Sequence, residues 1–81
     1  MKVVVQLFAV ARDLAGESTV ELDLPAGATV RAIRAALVER VPALAGLLPQ
    51  MMVAVNAEYA ADTTPIPPGA DVACIPPVSG G

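Results

Sequence analysis

The chain has 81 residues, 56% of them hydrophobic, and five basic against eight acidic side chains give it a net charge of -3. That describes one small domain with an aliphatic core, because Phe8 and Tyr59 are its only aromatic residues. A single cysteine excludes an internal disulfide and a cysteine-rich metal site, the lack of histidine removes the usual general base and metal ligand, and the lack of a basic patch argues against nucleic acid as a partner.

Residues 2–8 are valine-rich and too short for a helix, so they read as a strand. Val3, Val5 and Leu7 share one face, and Val4, Gln6 and Phe8 share the other. Two mostly apolar faces suit a central strand, or one whose second face a partner covers. Lys2 followed by residues 3–11 could pass for a short signal peptide, but Gln6 interrupts the run and its removal would strip a strand from a small domain. No apolar run approaches a membrane span, and a reduced cytoplasmic setting is expected.

Residues 9–16 read as a connection with a helical turn that Gly16 ends, with Arg12 and Asp13 facing solvent. Residues 18–24 alternate cleanly: Val20, Leu22 and Leu24 inward, Thr19, Glu21 and Asp23 outward. This is a half-exposed strand at or near a sheet edge, where its acids discourage edge pairing. Pro25, Ala26 and Gly27 form a turn, and Thr29 stands where its hydroxyl can cap a helix. Val30, Ile33, Leu37 and Val41 follow at helical spacing, and Pro42 stops the helix.

Gly46 and Pro49 make residues 43–49 short and irregular. Residues 51–56 read as a strand with Val53 and Val55 on one face, Asn56 opens a turn, and a very short strand follows at residues 59–61. Residues 62–69 hold three prolines and form a loop. Residues 71–75 are the last strand, on which Cys74 is a small buried hydrophobe with no basic neighbour in sequence to activate it.

A hairpin, a crossover helix and a returning sheet give an α+β fold: one mixed sheet of four to five strands packed on one main helix, with a later strand parallel to the first. This is the β-grasp, or ubiquitin-like, arrangement, a single domain over residues 1–81. Residues 76–81 read as a projecting C-terminal tail: Pro76, Pro77, Val78, Ser79, Gly80 and Gly81. The prolines stiffen and extend it, and the glycines keep its tip narrow. The last four residues reach about 13 Å when extended, which suits insertion into another protein's active site.

The whole chain resembles the small, sulfur-carrier subunit of molybdopterin synthase. The resemblance rests on Leu-Phe-Ala at the end of the first strand, on Ala-Arg-Asp-Leu-Ala-Gly at residues 11–16, and on Ala-Thr-Val-Arg at the helix start. Val-Asn-Ala-Glu-Tyr at residues 55–59 extends it, and Asp-Val-Ala-Cys-Ile-Pro-Pro-Val-Ser-Gly-Gly at residues 71–81 is its most specific block. There are departures: Asp13 stands for the usual Glu, a mild change, while Gly69, Ala70, Asp71 and Val72 stand for Gly-Asp-Glu-Val before the last strand and Cys74 for Phe or Leu, which touch packing and surface charge more than the tail.

The resemblance implies that an ATP-dependent activating enzyme adenylates the Gly81 carboxylate. Sulfur from a persulfide donor then replaces AMP to give a thiocarboxylate. The tail enters the large subunit and donates sulfur to cyclic pyranopterin monophosphate, two loaded carriers serving each product. The chain would be no enzyme alone and would bind no cofactor or metal itself, and the assembly would be a two-plus-two heterotetramer. Docking is expected through Phe8, Tyr59 and Ile75 as apolar contacts, with Arg12 as a polar contact to the activating enzyme. Three alternatives share these features: a carrier for thiazole, cysteine or thiolated-tRNA synthesis, a ubiquitin-like protein-modifying tag, and an interaction module with an inert tail.

Overall fold

The computed structural model describes residues 1–76. Five strands and two helices run in the order β1 (Lys2–Leu7), α1 (Ala9–Ala15), β2 (Thr19–Asp23), α2 (Val30–Arg40), β3 (Met52–Val55), β4 (Glu58–Tyr59) and β5 (Val72–Ile75). The strands form one mixed sheet in the order β2-β1-β5-β3-β4. β1 pairs antiparallel with β2 and parallel with β5, as the crossover through α2 requires. This is the β-grasp arrangement.

Alternation decides which side chains enter the core. Val3, Val5 and Leu7 of β1, Val20 and Leu22 of β2, and Val72 and Cys74 of β5 face inward and are buried. Val30, Ile33 and Leu37 of α2 close over them and are fully buried, while Val41, just past the helix, is half-buried. Fully burying such aliphatic side chains contributes about 1.5–3 kcal/mol each, which lets a chain of this size fold without a disulfide. The segment between α2 and β3 forms two 3-10 turns, Pro42–Leu44 and Leu48–Gln50, whose buried Leu44 and Leu48 complete the core.

Two local expectations change. Residues 9–15 form a full helix of seven residues, ended by Gly16 at φ 75 with its N–H donating to the Arg12 carbonyl. Thr29 is the residue before α2, but its side chain makes no capping bond. The first N–H groups of α2 are satisfied from a distance: Val30 donates to the Thr64 carbonyl and Arg31 to the Asp62 carbonyl, both at 3.0 Å. The loop that carries these carbonyls replaces the hydroxyl cap.

Candidate functional site

The sheet face turned away from α2 is open; Gln6, Asn56 and Asp71 share it with an apolar cluster whose geometry follows from register. Leu7 pairs with Cys74, so the next residues of the two parallel strands, Phe8 and Ile75, both turn outward. Met52 stands across from Ile75, and Ala54 lies between Ala73 and Tyr59. Phe8, Tyr59 and Ile75 line one concavity of about 530 Å³, floored by Ala54 and Ala73. Phe8 is 42% exposed and Tyr59 67% exposed. The three apolar residues singled out from sequence therefore converge on one surface.

Local backbone holds them there. Phe8 is extended at φ -126 and ψ 154, and Ala9 takes φ 53 as the chain turns into α1. At the other side a two-residue turn joins β3 to β4, with Asn56 at φ 50 and Ala57 at φ 69. Positive φ at both central positions is the hairpin turn whose twist matches the strands. The Asn56 N–H donates to the Asp71 carbonyl at 2.7 Å, and the Asp71 N–H donates to Asn56 Oδ1 at 3.0 Å. These two bonds tie the Tyr59 hairpin to the start of β5.

Arg12 sits elsewhere. It is exposed on α1 and lines no part of the concavity. Met52 was not anticipated; it is 46% exposed opposite Ile75. The sequence carried the signal, since Val53 facing inward places Met52 outward. Of the tail, only Pro76 is described, and it is buried rather than projecting. Pro77, Val78, Ser79, Gly80 and Gly81 lie outside the described residues.

Cys74 is fully buried, and burial pushes its thiol up to about 11, with the Arg34 charge opposing only in part. A thiol held protonated is no nucleophile at neutral pH. Among the described residues no cluster of three or more His, Cys, Asp or Glu could hold a metal ion. What this face offers is an exposed concavity beside β5, with Phe8 and Tyr59 open to solvent.

The sequence pattern of the ThiS family matches residues 5–81. The chain belongs to the ThiS family. It is 35% identical over 81 residues to the molybdopterin synthase sulfur carrier subunit of Arabidopsis thaliana, covering 100% of this chain and 84% of that protein. SAMP1 from Haloferax volcanii, a small archaeal modifier protein, superposes with a TM-score of 0.89 at 34% identity over 100% of both chains. A chain from the complex of subunits 1 and 2 of the Helicobacter pylori molybdopterin-converting factor superposes with a TM-score of 0.71 at 26% identity, again over 100% of both chains. Among the described residues no helix of this family member is long and apolar enough to cross a membrane.

Proposed function

We propose that this chain is a sulfur carrier for molybdenum-cofactor synthesis, with the Gly81 carboxylate as the group that bears the sulfur. The observation that carries this reading is the likeness, along the whole chain, to a molybdopterin synthase sulfur carrier subunit. The concavity supports it, because Ile75 lines it and stands six residues before Gly81.

A carboxylate is a poor acyl donor because its oxygen leaves badly. An activating enzyme joins the Gly81 carboxylate oxygen to the α-phosphorus of ATP and releases pyrophosphate. The terminal sulfur of a persulfide attacks the acyl carbon, and AMP leaves with the carbon–oxygen electron pair. A thiol then cleaves the sulfur–sulfur bond and frees the thiocarboxylate. Glycine at the last two positions leaves the acyl carbon open to attack, so the carrier needs no catalytic side chain of its own.

Phe8, Tyr59 and Ile75 dock the body on its partners, and Arg12 contributes a separate polar contact to the activating enzyme. The large subunit receives the tail in a two-plus-two heterotetramer. Inside it, sulfur passes to cyclic pyranopterin monophosphate to build the dithiolene. The activating enzyme uses the ATP; the carrier binds no cofactor. The reduced cytoplasm is the setting that keeps a thiocarboxylate intact.

The likeness to SAMP1 favours a second reading, a protein-modifying tag joined through the same Gly81 carbonyl to a lysine amine. One experiment separates the two. Loaded carrier is mixed with a molybdopterin synthase large subunit and cyclic pyranopterin monophosphate. Formation of the dithiolene supports the carrier; no dithiolene in that mixture, together with isopeptide-linked products when the chain is incubated with ATP, the activating enzyme and added proteins, supports the tag.

A further inference from the structure

Among the described residues β2 pairs with β1 alone and ends the strand order. Two backbone bonds fix the phase of this antiparallel pair: the Leu7 N–H donates to the Ser18 carbonyl and the Leu24 N–H to the Met1 carbonyl, each at 2.8 Å. Bonded and non-bonded positions alternate along such a pair. Val20 and Leu22 therefore turn their backbone groups toward β1. Thr19, Glu21 and Asp23 turn theirs toward the open edge.

α2 forms the other wall. A groove of about 340 Å³ runs between Glu21, Leu22 and Asp23 of β2 and Ala36, Glu39 and Arg40 of α2. It shares no residue with the Phe8–Tyr59 concavity. Its rims carry three carboxylates against one guanidinium, and Leu22 and Ala36 lie between them.

We propose that this groove docks an extended partner segment in which basic residues alternate with small apolar ones. The segment adds a strand to β2 through the outward backbone groups of Thr19, Glu21 and Asp23. Strand alternation then sends every second side chain toward the Glu21 and Asp23 carboxylates and the others onto Leu22 and Ala36. Glu21 stands 3.8 Å from Lys2 Nζ and Asp23 stands 3.5 Å from the Met1 amino group. Lys2 and Glu21 are 69% and 63% exposed, so their contact is screened by water and exchanges for a partner's cation; the Leu24 carbonyl holds the Met1 amino group, and Asp23, 93% exposed, keeps an oxygen free for another cation. A second copy of this chain would set its own acids against Glu21 and Asp23, so the edge rejects itself while accepting a basic strand. A partner held here leaves Phe8 and Tyr59 free, so the carrier body can be gripped while its docking face is engaged.

The test uses the full isotopically labelled chain at low salt, titrated with a synthetic peptide alternating lysine and valine. Saturable amide shifts centred on Thr19, Glu21 and Asp23 are expected. Exchanging lysine for glutamate in the peptide, or making the Glu21→Lys/Asp23→Lys variant, weakens binding by at least about tenfold. Phe8→Asp leaves this binding unchanged. Both altered positions on β2 are exposed, and circular dichroism checks that the variant folds. Absence of saturable shifts, equal binding of the glutamate peptide, or shifts centred on Phe8 and Tyr59 would overturn the proposal.

Discussion

Arg34 Nε donates to Asp62 Oδ1 at 2.8 Å, joining α2 to a loop 28 residues further along the chain. The same guanidinium donates through Nη1 to the Leu48 carbonyl at 2.6 Å and through Nη2 to the Met51 carbonyl at 2.8 Å. One planar fork thus fixes the segment before β3 and the loop before β5 against a single helix. Arg34→Lys offers one compact ammonium where three directed donors are needed. It should lower unfolding free energy by about 1.5–3 kcal/mol, read from urea denaturation. Asp62→Asn, at a half-exposed position, should cost no more than about 1 kcal/mol. Equal losses for the two variants would contradict this ranking.

The β3–β4 turn should be improvable. Ala57 takes φ 69, a left-handed conformation that a Cβ disfavours. No bond of its own side chain compensates. Ala57→Gly relieves that strain at some cost in unfolded-chain entropy, for a net gain of about 0.5–1 kcal/mol. A rise in the thermal midpoint is the expected result; a fall would mean that Ala57 packs usefully in the concavity.

Cys74 makes two predictions. At pH 7–8 the native thiol should resist alkylation, and denaturant should expose it to rapid reaction. Its pKa is about 11 in the fold against an ordinary value of 9.0, so the folded state holds its proton where the unfolded state releases it. The unfolded form binds fewer protons above pH 9, so stability is fully present below that value. It declines as pH rises toward 11, by at most about 1.4 kcal/mol per pH unit. Cys74→Ala should flatten that decline while lowering stability at neutral pH through lost packing.

Tyr59 and Phe8 should matter for partners more than for folding. Tyr59→Ala removes a side chain that is mostly in water, so stability should change by less than about 0.5 kcal/mol. If the concavity is the docking face, affinity for the large subunit should fall by about 1–3 kcal/mol. Calorimetric titration of wild type against variant checks this, and unchanged affinity would move the interface elsewhere.

The legible parts of the fold were those written in local alternation and periodicity. Val20 and Leu22 against Glu21 and Asp23 marked an edge strand, and Val30, Ile33 and Leu37 marked the helix; both stand as read. Phe8, Tyr59 and Ile75, expected from the sequence as apolar contacts, line one concavity. What escaped were contacts between residues far apart in sequence. Thr29 looked like a cap, but the Thr64 and Asp62 carbonyls do that work. Nothing local marks the role of Arg34, because its three acceptors lie 14 to 28 residues away. Arg12 is exposed as expected, but α1 carries it away from the concavity, which no local pattern could reveal.

In the proposed function the Gly81 carboxylate carries the sulfur. The most direct measurement is the intact mass of the chain after incubation with ATP, a ThiS-family activating enzyme and a persulfide donor. A gain equal to replacing one oxygen by sulfur, mapped to Gly81 and absent when Gly80 and Gly81 are deleted, is expected. No gain, with an enzyme set that loads another member of the family in parallel, would contradict it.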